Sequence, residues 1–174
     1  MSYSKHMILA ATLATGALSA TCAFAQERFY ERVGNWTVVG ASTFCTVPGG
    51  APEPFPDGKM PPWDSITLKM ATLGSLEIRY GGEIAANAKN GPQEGQALIG
   101  DEGEQPDYFR PRMIVADQPG GGRQVTAYLE GEALDAFWTH DYFVLRAGDQ
   151  MLPMTPGLER QALGETIRRC VEGL

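Results

Sequence analysis

Short segments in which apolar and polar residues alternate constrain this chain most. The alternation recurs in residues 65–71, 75–80 and 124–129, residues 142–146 form a further strong strand pattern, and glycine, proline or polar residues separate the successive segments. A period of two places successive side chains on opposite faces of a β-strand. The sequence therefore predicts a mainly β protein, an antiparallel β-sandwich or open barrel of about eight short strands.

The C-terminal segment changes period. Thr155 and Pro156 have the residue types that favour a helix N-cap and first helical turn. Leu163 and Ile167 then fall on one face at helical spacing. We predict one C-terminal helix at about residues 156–172, which covers an opening or an edge of the β structure.

The first 25 residues have the pattern of a secretory signal peptide. Lys5 lies in a short polar start, residues 7–18 are apolar or small, and Ala23 and Ala25 occupy the positions that signal peptidase reads. The apolar run is too short to span a membrane stably. We therefore predict a signal peptide at residues 1–25, of a kind typical of bacteria.

Cleavage near Ala25–Gln26 would leave a single exported domain at residues 26–174, in the periplasm or secreted. Lipid attachment at Cys22 is the alternative, although Thr21 stands where lipoprotein signals have a smaller residue. No later stretch reaches the length of apolar sequence that a membrane helix needs, so we expect no membrane span.

The charge balance excludes one class of partner. The chain has 14 Lys and Arg against 21 Asp and Glu, a net charge of -7. Removal of the signal peptide takes away Lys5 and no acidic residue, so the exported domain carries one more net negative charge. A protein that binds phosphate backbones needs a basic surface, and we therefore expect no nucleic acid partner.

The exported domain keeps two cysteines, Cys45 and Cys170. In an oxidising compartment two cysteines most simply form one disulfide, and we predict that bond between the first strands and the C-terminal helix. A reactive free thiol and metal ligation are the alternatives. With His140 as the one remaining histidine and no C-x-x-C motif, zinc has little support.

Catalytic motifs are scarce. His140 has Asp135 and Asp141 close by in sequence, but the chain contains no G-x-S-x-G motif. We expect His140 to be a surface or half-buried residue at a strand end. Nothing in the spacing of the acidic residues singles out a carboxylate pair. A small cell-envelope hydrolase that uses carboxylates or His140 is therefore the alternative function.

An acidic segment offers candidate calcium ligands. It lacks the spacing of a helix-loop-helix calcium site, so a solvated acidic loop is the alternative. The candidate ligands are Asp101, Glu102, Glu104 and Asp107.

Aromatic residues give the candidate binding surface. Six prolines between residues 48 and 62 exclude a helix or a central strand there and predict a long surface loop. This loop and a second apolar cluster could present aromatic side chains to a partner, and core packing is the alternative for them. The residues are Phe55, Trp63, Phe137, Trp138 and Tyr142.

The motif Gly34-x-Trp36-x-Val38 with Cys45 soon after resembles the opening of small periplasmic proteins of the invasion-associated locus B type. The stretch from residue 143 to 157 and the Arg169-Cys170 pair are similar to alphaproteobacterial domains that end in a cysteine-bearing helix. The resemblance implies an exported β-sandwich-like domain of the cell envelope, without catalytic residues to carry over.

From these observations we expect an exported periplasmic binding or protein-interaction module that is not catalytic and needs no cofactor. The expected partner is a protein or small-molecule ligand of the cell envelope.

Overall fold

The computed structural model describes most of residues 26–174. The predicted signal peptide, Cys22 and the predicted helix start at Thr155 lie outside the described residues, which are 29–49, 58–60, 63–82, 84, 88–101, 103–119, 121–154 and 160–174.

Within this part of the chain, twelve strands and two helices follow one another. They are β1 Phe29–Val33, β2 Trp36–Gly40, β3 Cys45–Val47, β4 Ser65–Thr72, β5 Ser75–Gly81, β6 Gly91–Glu94, β7 Gln96–Gly100, β8 Asp107–Phe109, β9 Arg112–Asp117, β10 Arg123–Glu130, α1 Glu132–Thr139, β11 Tyr142–Ala147, β12 Gln150–Met154 and α2 Arg160–Glu172.

The strands form two antiparallel sheets that face each other across the core. The larger sheet has the order β1-β2-β3-β4-β5-β10-β9-β6, and the smaller has the order β12-β11-β7-β8. The Tyr80 hydroxyl of β5 donates to the Leu152 carbonyl of β12 at 3.2 Å, which ties the two layers together. Burial of the phenol raises the pKa of Tyr80 above its ordinary value. The predicted mainly β, sandwich-like fold is confirmed.

The alternating segments form the strands that their pattern predicts. In β4 the side chains of Ile66, Leu68 and Met70 are buried, and those of Thr67 and Lys69 between them are half-buried. This alternation places one face of the sheet against the core and leaves the other towards solvent.

The predicted number of about eight strands is too low. The structure adds β1, β6 and β8, and it separates β3 from β2 as a strand of its own. β1, β6 and β8 lie at sheet edges, and β3 and β8 have only three residues each. Such short segments carry little periodic signal, and their strand structure depends on pairing with neighbours distant in sequence.

A second correction concerns the helices. The sequence predicted one helix, whereas the apolar cluster around Phe137 forms α1. Its buried residues Ala133, Leu134, Phe137 and Trp138 recur at helical spacing on the side that faces β10, β7 and α2. None of the helices in the described part of the chain is long and apolar enough to cross a membrane.

The predicted disulfide joins Cys45 of β3 to Cys170 of α2, with a Cα–Cα distance of 6.1 Å. Both residues are buried. Gly40 of β2 lies directly beneath the bridge, since a Cβ atom there would come within 3.0 Å of the Cys170 sulfur and 2.7 Å of Phe29 Cβ. The bridge and this close approach hold α2 against the first strands of the larger sheet.

Candidate functional site

A cleft lies where the C-terminal end of α1 meets the start of α2. Its volume is about 430 Å³. Two segments supply the lining, one at the end of α1 and the other in the first turns of α2. The lining residues are Trp138, Thr139, His140, Asp141, Arg160, Gln161, Ala162 and Glu165.

Gly164 allows α2 to approach α1 closely at this cleft. A Cβ atom at residue 164 would lie 2.9 Å from the Trp138 ring atoms Cδ2 and Cε3, so the indole packs directly on the glycine backbone. Trp138 is only 4 % exposed, and its Nε1–H is buried and has no hydrogen-bond partner in the part of the chain that the structure describes. A buried N–H without an acceptor destabilises the folded protein by about 1–3 kcal/mol, so a hydrogen bond from the Trp138 N–H to a ligand acceptor would be favourable.

Arg160 is the buried cation of the cleft. Its Nη1 donates to the carbonyl of His140 at 2.8 Å, and its Nη2 donates to the carbonyl of Asp141 at 2.7 Å. The guanidinium also lies 5.3 Å from the centre of the Phe137 ring. Burial lowers the pKa of Arg160 to about 10, against the opposing effect of nearby groups that include Asp141, so the side chain stays charged at neutral pH. Arg160 thereby fixes the chain that leaves α1.

Asp101 and His140 form a pair at the edge of the cleft. His140 Nδ1 lies 3.1 Å from Asp101 Oδ2, and the backbone N–H of Asp141 donates to Asp101 Oδ1 at 3.2 Å. The hydrogen bond with the His140 side chain, followed by the one from Asp141, holds the pKa of Asp101 below its ordinary value. Both side chains are partly exposed, with 35 % of the His140 side chain and 44 % of the Asp101 side chain accessible.

The pair has the geometry of a base with its orienting carboxylate, because the carboxylate binds Nδ1 and leaves Nε2 for proton transfer. A nucleophile beside it is missing from the described lining. The Thr139 hydroxyl donates to the Asp135 carbonyl at 3.0 Å, one turn back in α1.

The structure buries most of the aromatic residues that the sequence grouped as a binding surface, and it packs Phe137 edge-on against Trp138 with 4.8 Å between ring centres. Trp63, Phe137 and Trp138 are buried, and the Trp63 ring packs edge-on against Tyr80 with 5.5 Å between ring centres. Of this group, Tyr142 has an exposed side chain, at 38 %. Phe55 lies outside the described residues. The core-packing alternative therefore applies to the three buried rings, because the aromatic residues of α1 face both sheets.

The candidate calcium ligands lie on and beside the connection from β7 to β8. Asp101 pairs with His140, Glu104 is exposed on that connection, and Asp107 is exposed at the start of β8. Glu102 lies outside the described residues. Within the described ranges no group of three or more His, Cys, Asp or Glu side chains could hold a metal ion.

Sequence reasoning missed Arg160 and the partner of His140. Arg160 lies three residues before Leu163, so it shares the face on which Leu163, Ile167 and Cys170 are buried, and that spacing was a usable signal. Asp101 is 39 residues away from His140. Gly100, the last residue of β7, pairs with Tyr142, the first residue of β11. This pairing brings Asp101 beside His140, and local sequence does not show it.

Fold and site together define a disulfide-linked, mainly β protein of two facing sheets, with a polar cleft between two helices. No family model, curated protein or solved structure matches the chain. The resemblance of residues 33–38 to proteins of the invasion-associated locus B type therefore stays a prediction.

Proposed function

We propose that this chain is an exported, non-catalytic binding module that takes a small polar ligand in the cleft between α1 and α2. The observation that carries the proposal is that Trp138, a lining residue of the cleft of about 430 Å³, has a buried Nε1–H with no hydrogen-bond partner among the described residues. Ligand pockets in proteins commonly combine an apolar wall with a few polar groups that fix orientation.

The lining favours a ligand that carries both an acceptor and a protonated amine. Arg160 and the Trp138 N–H attract an acceptor oxygen, whereas the exposed carboxylates of Asp141 and Glu165 attract an ammonium group. A free amino acid is the simplest molecule that has both groups. The negative net charge of the chain also favours approach of a cationic group.

Export is part of the proposal. Its support is the sequence of residues 1–25 and the Cys45–Cys170 disulfide, because such bonds persist in oxidising compartments such as the periplasm. The resemblance to periplasmic proteins of the invasion-associated locus B type agrees with this location and with a non-catalytic role.

The test is a thermal-unfolding titration of the mature protein with a panel of free amino acids and simple amines. A ligand that binds the folded state raises Tm in a concentration-dependent way. Glu165→Gln should weaken the effect and Ala162→Trp, which fills the cleft, should remove it. Glu172→Gln is the matched control, since Glu172 is an exposed carboxylate at the far end of the same helix. Equal Tm shifts in all three variants would contradict the proposal.

One observation favours a second function, acid–base hydrolysis of a cell-envelope substrate. The Asp101–His140 pair leaves Nε2 of the imidazole for activation of a water molecule. The test is hydrolysis of ester, glycan and peptidoglycan panels by the mature protein and by its His140→Gln variant. Activity that disappears in the variant would replace the binding proposal with this one.

A further inference from the structure

The outer face of the smaller sheet carries a row of apolar side chains. Register places Tyr108 of β8 beside Leu98 of β7, Leu98 beside Val144 of β11, and Val144 beside Pro153 of β12. Their neighbours Ile99, Phe143, Leu145 and Leu152, on the opposite face, are buried in the core. The row therefore crosses all four strands on the side away from the other sheet. Within it Tyr108 is exposed, Leu98 and Pro153 are half-buried, and Val144 is buried between its neighbours.

Exposed apolar residues concentrate on this face. Tyr142 and Met151 flank the row along β11 and β12, with 38 % and 45 % of each residue exposed, and Tyr108 is 50 % exposed. These are three of the six large apolar residues that are exposed in the described part of the chain. Such a patch on a protein surface is characteristic of an interaction site.

An acidic rim borders one end of the face. Tyr142 pairs with Gly100, so the start of β11 and the end of β7 lie at the same edge of the sheet, together with the start of β8. Four carboxylates occupy that edge, and one of them, Asp101, binds the His140 ring. They are Asp101, Glu104, Asp107 and Asp141.

We propose that this face binds a cationic amphipathic segment of a polypeptide partner. Its apolar side chains would lie along the row from Tyr108 to Pro153, and its Lys or Arg side chains would face the acidic rim. Charge complementarity with the rim selects a basic partner, and Tyr142 adds a favourable surface for its cations. Arg110, which lies 5.8 Å from the centre of the Tyr108 ring, and the exposed Arg146 of β11 confine those cations to the rim end of the face. This proposal does not depend on the cleft between the helices.

The size of the face selects a peptide segment over a second copy of the chain. Four strands at about 4.8 Å spacing span roughly 14 Å, and the strands are only a few residues long. The face therefore offers a few hundred Å², whereas a stable protein–protein interface buries about 800 Å² on each partner.

The probe is a short dansyl-labelled peptide of alternating leucine and lysine, titrated with the full mature protein and followed by fluorescence anisotropy. Two reference peptides replace either every lysine by glutamate or every leucine by serine. We expect only the leucine–lysine peptide to bind, with an affinity that falls as salt is added. Equal binding of either reference peptide would overturn the proposal.

The variants locate the site. Tyr108→Ser combined with Met151→Ser, and separately Glu104→Gln combined with Asp107→Asn, should each weaken binding at least about tenfold. Tyr30→Ser is the matched control, since Tyr30 of β1 is 71 % exposed on the larger sheet. An equal loss in the control, unchanged binding in both double variants, or a dimer of the free protein that buries Tyr108 would each refute the assignment. Circular dichroism spectra of all variants check that they fold.

Discussion

Breaking the disulfide gives the most quantitative test of the structure. The perturbation is reduction of the mature protein under native conditions, together with a Cys45→Ala/Cys170→Ala variant. The two cysteines are separated by 125 residues, so the bond closes almost the whole described domain into one loop. In the chain-entropy treatment, a loop of this length constrains the unfolded state by about 5 kcal/mol at 25 °C.

We expect the free energy of unfolding to fall by nearly this amount on reduction. For a domain of this size, about 5 kcal/mol corresponds to a decrease in Tm of roughly 10–20 °C. The alanine variant should lose slightly more, because Cys45 and Cys170 are buried and removal of their sulfur atoms leaves unfilled space in the core.

The assay is urea unfolding followed by the fluorescence of the buried tryptophans Trp63 and Trp138. Reduction should also raise the m-value, since an unfolded chain without the cross-link exposes more surface. Thiol titration of the unfolded, unreduced protein should find neither cysteine free. Two free thiols, or a loss on reduction below about 1 kcal/mol, would refute the argument from loop closure.

Three further predictions concern the cleft. Arg160→Met removes two charge-assisted hydrogen bonds to part-buried backbone carbonyls and should cost about 2–4 kcal/mol in urea unfolding. The half-exposed Arg168→Met should cost less than about 1 kcal/mol, and equal losses would contradict the role of Arg160. Gly164→Ala places a methyl group against the Trp138 ring, so it should destabilise the protein by about 1–3 kcal/mol and shift the fluorescence of Trp138. A gain in stability would show that α1 and α2 can move apart without cost. The folded-state pKa of Asp101 is lowered, so its ionised carboxylate stabilises the fold above about pH 4, and this stabilisation is lost as the pH falls through the lowered pKa. Asp101→Asn should therefore lose less stability on acidification than the wild type, and parallel profiles of stability against pH would contradict this.

Local pattern predicted the strands that build the centre of the larger sheet and missed those at the edges. β4, β5 and β10 each have a clean alternation, because one face of each strand is buried whatever its neighbours are. The edge strand β6 has no fully buried residue, so it carries no such signal. Its strand structure comes from hydrogen bonding to β9.

For the candidate site, the aromatic residues likewise show what the sequence could predict and what it could not. Composition identified Trp138 and Tyr142 as notable, but it could not separate a buried ring from an exposed one. That difference depends on the tertiary structure. Trp138 in α1 packs on Gly164 of α2, whereas Tyr142, at the start of β11, is exposed. The spacing of the apolar residues in α1 was a helical signal that the sequence already contained.

The sequence by itself determined the fold class, the C-terminal helix and the disulfide. The fold class and the helix depend on local periodicity, and the disulfide depends on a count, since residues 26–174 contain only two cysteines. The tertiary structure alone decided the pairing of Asp101 with His140, the burial of Arg160 and the apolar row across the smaller sheet. Each of these joins residues far apart in the chain, and the order and register of the strands set which of them meet.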